Sequence, residues 1–235
     1  IPVHYFQVIA SDNGPLAQQA MASLTIQVDD VNDHAPQFES SVYTHSVSES
    51  ISIGSTVITL KARDDDNGKN AELEYTILNP SGENDVFRID PFSGSISTRL
   101  PLDREKTEFY TLEVQATDKA LVTERKTATA VVEITVLDEN DNYPQFTKSS
   151  YTVDVSEDID ANGRPIIAEI RATDSDTGNN GNVKYSITGG NSQDTFAIDP
   201  LSGQLSVLKS LDYDRVAKNY HLRVRAQDSG SPPRS

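Results

Sequence analysis

Cysteine and tryptophan are both missing from these 235 residues, and methionine occurs once. Without cysteine there is no disulfide staple, a device small exported domains often use. The chain therefore fits either a reducing compartment or a fold held by something else, such as bound metal. Basic residues are scarce: 20 Lys and Arg stand against 36 Asp and Glu, a net charge of −16. That balance argues against nucleic acid and anionic membrane surfaces as partners and favours cations or basic patches. No apolar run approaches the ~20 residues a bilayer-spanning helix needs, no signal peptide opens the chain, and no Asn-x-Ser/Thr with a non-proline centre occurs. Apolar residues make up 36% of the chain, which suits several small cores better than one large one. No segment carries the i, i+3, i+4, i+7 stripe of an amphipathic helix.

What is present is repetition. DVNDHAPQF at 30–38 returns as DENDNYPQF at 138–146, and Asn140 minus Asn32 is 108. VSES at 47–50 matches VSED at 155–158, and ARDDDNGKNAELEY at 62–75 matches ATDSDTGNNGNVKY at 172–185. FRIDPFSGSIS at 87–97 matches FAIDPLSGQLS at 196–206, and PLDRE at 101–105 matches SLDYD at 210–214. VQATD at 114–118 matches VRAQD at 224–228 and VIASD at 8–12. A period of this length marks an array of domains. The expected division is the tail of one repeat over 1–33, a complete repeat over 34–141, and a repeat lacking its last strand over 142–235. The chain is thus expected to begin and end inside repeats, with an exposed edge where that last strand is missing.

Alternation of apolar and polar residues dominates the complete repeat. Leu112, Val114 and Ala116 alternate with polar neighbours, as do Ala128, Ala130, Val132, Ile134 and Val136. DNG at 66–68, NPSG at 79–82 and DPFSG at 90–94 are turn signals. Strands are expected at about 41–48, 55–63, 71–79, 85–89, 94–100, 107–117 and 125–137. Seven short antiparallel strands in a domain of this size predict an all-β fold, tandem Greek-key β-sandwiches of immunoglobulin-like architecture. The missing Cys and Trp exclude a true immunoglobulin domain.

Strand direction then sorts the acids. With strands alternating up and down, Glu49, Asp103, Glu105 and the string Asp138–Asn142 fall at one end of the complete repeat, and Asp64, Asp66 and Asp118 at the other. Stacking the next repeat below brings Asp174, Asp176 and Asp228 toward Glu49, Asp103, Glu105 and Asp141, with Asn140 beside them. So many carboxylates left bare would repel one another. Hard oxygen ligands at this density suit Ca²⁺, which takes six to eight of them, better than octahedral Mg²⁺. Zinc would want Cys or clustered His.

The motifs Ser48-Glu49-Ser50, Leu102–Glu105, Asp138–Asn142, Asp174–Asp176, Asn180 and the A-x-D ending at Asp228 resemble those of tandem extracellular cadherin repeats, over essentially the whole chain. The resemblance implies about three Ca²⁺ ions at each inter-repeat junction. It implies that Glu49, Asp103, Glu105, Asp141 and Asp176 hold the two inner ions, with a carbonyl from Glu139, and Asp138 at the head of the same string is counted among the metal-site residues. It assigns the third ion to Asn140, Asp174, Asp176 and Asp228 with the carbonyls of Asn142 and Asn180. The upper junction keeps Asn32, Asp33, Asp64, Asp66 and Asp118 with carbonyls from His34 and Asn70. His34 stands where the motif has Asn, a change a backbone ligand tolerates. Glu157, Asp212, Asp214 and Asp12 carry over as ligands whose junctions are cut, and Asp212-Tyr213-Asp214 departs from D-R-E.

The resemblance implies a calcium-dependent cell–cell adhesion ectodomain, extracellular and at the cell surface. Its partner would be a cadherin ectodomain on the same or an opposing cell, and the parent protein would be membrane-anchored outside this segment. The alternative is a calcium-stiffened spacer that touches no partner. SGSPPRS and FAIDPLSGQL resemble the large cadherins of the Fat, Dachsous and Flamingo kind, or a protocadherin or invertebrate neural type. Tryptophan's absence removes the anchor used by strand-swapping members. An enzyme is not expected. Asp103 and Glu105 could be a glycosidase pair, but no aromatic platform accompanies them. The loops at 64 and 174 fail as EF-hands, with Tyr75 and Tyr185 where the bidentate Glu belongs.

Overall fold

Side chains on a strand point alternately to opposite faces, and in this chain that alternation becomes burial. The computed structural model describes residues 3–78, 85–214 and 219–235. It is almost wholly β. In chain order the strands are β1 (Val3–Ser11), β2 (Gln19–Gln27), β3 (Gln37–Phe38), β4 (Val42–Ser48), β5 (Thr56–Thr59) and β6 (Ala62–Arg63). Then come β7 (Leu73–Ile77), β8 (Phe87–Ile89), β9 (Ser95–Thr98), β10 (Phe109–Asp118) and β11 (Thr127–Leu137). β12 (Gln145–Phe146), β13 (Ile166–Glu169), β14 (Ala172–Thr173), β15 (Lys184–Gly189), β16 (Phe196–Ile198), β17 (Gln204–Val207) and β18 (Arg223–Gln227) follow; the described residues also include a turn of α-helix, α1 (Gly178–Gly181), and turns of 3-10 helix at Gly68–Asn70 and Ala161–Gly163. Residues up to Leu102 with Thr107–Val136 form one compact unit, and Asp103–Lys106 with Leu137–Ser235 form another.

The first unit is a sandwich. One sheet runs in the order β4-β11-β10-β7 and the other β5-β9-β8. Val47, Leu112, Val114, Val132, Ile134 and Val136 of the first sheet meet Val57, Phe87 and Ile96 of the second, with Leu60 and Leu102 in the same core. The seven strands expected here are present. The segment expected as one strand over 55–63 is two, because it changes partner: β5 pairs β9, whereas β6 pairs β3. The NPSG turn expected at 79–82 lies outside the described residues. β1 and β2 form a hairpin, Val3 opposite Gln27 through Ser11 opposite Gln19.

In the second unit β15 pairs β18, and β13-β17-β16 make the other sheet around Phe196, Leu205 and Val207. Tyr151, Val153 and Val155 repeat the alternation of β4, yet no strand forms over them. β4 is a strand because β11 bonds to it. No described residue of the second unit takes the place of β11, so the backbone there has no ladder to join.

At the partner change the two units are built alike. Leu60 N donates to Gly94 O at 3.0 Å, and Ile170 N to Gly203 O at 3.0 Å. Tyr75 Oη accepts from Ala62 N and Tyr185 Oη from Ala172 N. Both glycines are left-handed, at φ 68° and 69°. A Cβ on Gly94 would lie 2.4 Å from Leu60 O, and one on Gly203 would lie 2.1 Å from Ile170 O. The left-handed backbone alone costs a non-glycine residue about 1–2 kcal/mol. Gly94→Ala and Gly203→Ala are therefore each expected to lose more than that, which urea unfolding of either variant would register.

Candidate metal centre

The inward parity of β10 does not stop at its last apolar residue. Leu112, Val114 and Ala116 are buried, and so is Asp118, only 1% exposed. β18 does the same: Ala226 is buried and Asp228, two residues on, is 3% exposed. The parity that fills the core thus carries a carboxylate inside at the sheet's end. Backbone donors hold each one. Asp118 accepts from Ala120 N at 3.0 Å and Lys126 N at 2.7 Å. Asp228 accepts from Gly230 N at 2.8 Å and Arg234 N at 2.9 Å.

An asparagine from the acidic string joins each of them. Asn32 Nδ2 donates to Asp118 Oδ2 at 3.1 Å and to Glu124 O at 2.6 Å. Asn140 Nδ2 donates to Asp228 Oδ1 at 3.3 Å and to Pro232 O at 2.7 Å. In both cases the amide nitrogen is spent and the amide oxygen is turned elsewhere. The aspartates after β6 and β14 are likewise used on one side only. Asp64 Oδ1 accepts from Asp66 N at 3.0 Å, and Asp174 Oδ1 from Asp176 N at 3.0 Å.

Four buried side-chain oxygens among the described residues then have no hydrogen-bond partner: Asn32 Oδ1, Asp64 Oδ2, Asn140 Oδ1 and Asp174 Oδ2. They are the same two positions in both units. Buried oxygens without donors are costly and rare, so a pair recurring at the same places points to a common cause. Acceptors that lack donors want a cation. The set is all oxygen, which fits a hard ion such as Ca²⁺ rather than zinc. Asp176 adds to it, 6% exposed, with ligand oxygens of Glu105, Asp141 and Asp176 all within 4.8 Å of one another.

The charges respond. Burial, and the neighbouring charges of Asp176 and Asp228, hold the Asp174 carboxyl above its usual range. In the other unit, burial of Asp66 is outweighed by hydrogen bonds from His34, which hold its carboxyl below the usual range. His34 Nδ1 lies 2.8 Å from both Asp66 Oδ1 and Asp33 Oδ1. Its imidazole is held above its ordinary 6.5, first by the bond to Asp66 and then by the charge of Asp33. A raised histidine stabilises below the unfolded value, and that contribution is lost as pH rises through the folded one. With calcium chelated, thermal melting of the wild type should fall from about pH 6.5 upward, and His34→Asn should flatten that fall.

The other residues singled out by sequence are placed less uniformly. Asn142 N and Nδ2 both donate to Asp176, at 3.2 and 2.6 Å. Asp33 O accepts from Lys126 Nζ at 2.8 Å, and Asp141 O from Arg234 Nη1 at 3.0 Å. Asp103 is tied to its own turn, with Lys106 Nζ 2.6 Å from Oδ2. Glu139 O accepts from Asp141 N at 2.9 Å. Glu49 follows β4 in the first unit. Asn70 and Asn180 use their side chains on Asp30 and Asp138, at 2.9 Å in both cases. Glu157 accepts from Tyr213 N at 2.6 Å, Asp212 from Asp214 N, and Asp12 from Gly14 N and Gln18 N. The reading of the sequence missed Asp30. Its signal was there, since Asp138 minus Asp30 is again 108.

The Cadherin domain family profile matches residues 43–137 and 151–235. The protocadherin-like wing polarity protein stan of Drosophila melanogaster is 49% identical over 243 residues, covering 99% of this chain and 7% of its own length. Human cadherin EGF LAG seven-pass G-type receptor 2 is 44% identical over 234 residues, covering 99% of this chain and 8% of its own. The chain thus spans less than a tenth of the length of these relatives. Among solved structures, mouse Cadherin-23 EC22-24 superposes with a TM-score of 0.79 at 33% identity, covering 98% of this chain and 70% of that one. Protocadherin Gamma B7 extracellular cadherin domains 1-4 gives 0.76 at 34% identity, covering 98% of this chain and 55% of that one.

Proposed function

The chain belongs to the cadherin family, whose domains are extracellular adhesion modules and not enzymes, and on that premise we propose that it is part of a cell–cell adhesion ectodomain stiffened by calcium. The domain boundaries that go with this reading are 1–33, 34–141 and 142–235. No helix among the described residues is long and apolar enough to cross a membrane, so the reading places the membrane anchor of the parent protein elsewhere. Homology to the Flamingo-type seven-pass receptors favours the large-cadherin class over the alternatives.

One observation carries the calcium assignment: the same asparagine and aspartate oxygens lie buried without donors in both units. In the second unit Asn140, Asp174, Asp176 and Asp228 would hold an ion with the carbonyls of Asn142 and Asn180. Glu49, Asp103, Glu105 and Asp141, with the carbonyl of Glu139, would hold two more, making about three per complete junction. In the first unit Asn32, Asp64, Asp66 and Asp118, with carbonyls from His34 and Asn70, would hold the equivalent ion, and Asp33 would serve ions shared with a preceding repeat. The ion supplies positive charge among carboxylates and ties segments distant in sequence. Extracellular modules bind Ca²⁺ with Kd of about 10⁻⁴–10⁻³ M, so extracellular calcium would fill such sites and cytosolic calcium would not.

Small-angle X-ray scattering of the chain tests the stiffening. A longer, narrower distance distribution is expected in calcium than after chelation, and superposable curves would count against it. The partner proposed is another cadherin ectodomain, on the same or an opposing cell. Beads coated with the chain should aggregate in calcium if this segment makes the contact. Dispersed beads, with the scattering change intact, would favour the spacer reading.

A further inference from the structure

We infer that Asp30 and Asp138, the first residues of the two acidic strings, are positioning residues that hold the ligand-bearing loop of their own unit without touching the ion. This rests on the calcium reading above. The two oxygens of Asp138 each lie 3.2 Å from Thr177 N, and Oδ2 also accepts from Asn180 Nδ2 at 2.9 Å. Arg104 Nη1 lies 3.5 Å from Oδ1. In the other unit Asp30 Oδ2 accepts from Asn67 N at 3.1 Å and Asn70 Nδ2 at 2.9 Å, and Oδ1 from Asn67 Nδ2 at 3.3 Å. The two arrangements share a backbone N–H at the loop's first turn and an asparagine amide three residues later. Thr177 and Asn67 differ, as a backbone donor allows; Asn180 and Asn70 are the same, as a side-chain donor requires. Both carboxylates thus spend their lone pairs on donors, unlike Asp64 and Asp174, each of which keeps a buried oxygen with none.

The tie has a reason to exist. The oxygens proposed for the ion come from three pieces of chain: the string carries Asn140, the loop after β14 carries Asp174 and Asp176, and Asp228 directly follows β18. Other bonds between string and loop run from Asn142 to Asp176, and in the first unit from His34 to Asp66. Those bonds occupy the carboxylate that the ion would claim. The bonds of Asp138 and Asp30 use none of the proposed ligand atoms, so they persist when the ion arrives and keep string and loop in register. The Asn180 side chain fixed this way also orients the residue whose carbonyl is a proposed ligand. Groups that orient metal ligands in this manner typically contribute 10–100-fold to affinity.

Equilibrium dialysis against radioactive calcium, with melting in chelator, tests the inference on the 235-residue chain. Asp138→Ala should weaken binding roughly 10-fold, leave the number of ions bound unchanged, and lower the melting midpoint more in calcium than in chelator. Asn180→Ala should do the same without altering charge, and the double variant should be no worse than either single one. Asp30→Ala and Asn70→Ala form an independent pair in the first unit and decide the matter if Asp138→Ala does not fold. One ion fewer in Asp138→Ala would make it a ligand and overturn the inference. A silent Asn180→Ala would overturn it in favour of plain charge, and an equal loss of stability in chelator would overturn it in favour of a folding role. Wild-type chain that takes up no calcium saturably would bring down the calcium reading itself.

Discussion

Asp174→Asn will melt higher than wild type in chelator and lower than wild type in calcium. The reversal follows from one oxygen. Asp174 Oδ2 is buried and accepts no hydrogen bond, and burial foremost, then the charges of Asp176 and Asp228, holds the carboxyl above its usual range. Ionised near neutral pH, it is a poorly solvated charge facing two others. The amide keeps the shape and the bond to Asp176 N and removes the charge, so the bare fold gains. In calcium the same carboxylate is a proposed ligand, and losing it would forfeit linkage. An ion at a hundred times its Kd adds about 2.7 kcal/mol to the folded state, and with the Kd expected here about 10 mM calcium approaches that regime. The pH dependence has a definite sign. A carboxyl raised in the folded state makes the fold bind an extra proton just above the ordinary value of 3.8. Stability in chelator therefore falls as pH rises through that window, and Asp174→Asn should flatten the fall. A variant that melts lower in both conditions would make Asp174 a structural residue only.

Leu112→Ala will cost the first unit about 2–5 kcal/mol, by the same amount with or without calcium. Leu112 is fully buried at the centre of a core drawn from both sheets. Its truncation removes apolar contact and leaves a cavity that rigid strands cannot close. Single domains are stable by only about 5–15 kcal/mol, so the loss is a large share. For a domain of this size it corresponds to a fall in melting midpoint on the order of 10–20 °C. Leu112 lies in the first unit and Asp174 in the second, so its effect should add to that of Asp174→Asn rather than couple to it. A cost that grew in calcium would mean that core and metal site are one cooperative device.

Strands β10 and β11 were legible because their alternation is long and their burial follows it residue by residue. The same period makes Asp118 and Asp228 readable as inward-pointing. The split into β5 and β6 was not legible, since it depends on which distant strand each half finds. Nor was the missing strand at Tyr151–Val155, where the pattern is right but the ladder partner is lacking. At the site, residue types and spacing pointed to the acids, but not to how their lone pairs are spent. Asp103 and Asp138 look alike in sequence, yet one closes a turn on Lys106 and the other staples the loop of Asn180. The His34 side chain contacts two acids, where sequence assigned it only a carbonyl. Such choices depend on tertiary donors that no local pattern encodes.

Calcium uptake by the purified chain, followed by equilibrium dialysis at neutral pH, bears most directly on the claim that these acidic ends are metal sites. Saturable binding of more than one ion per chain is expected, half-complete at roughly 0.1–1 mM free calcium and lost together with Asp174 and Asn140. Uptake that only rises in proportion to free calcium up to about 10 mM, unchanged when those two residues are replaced, would contradict it.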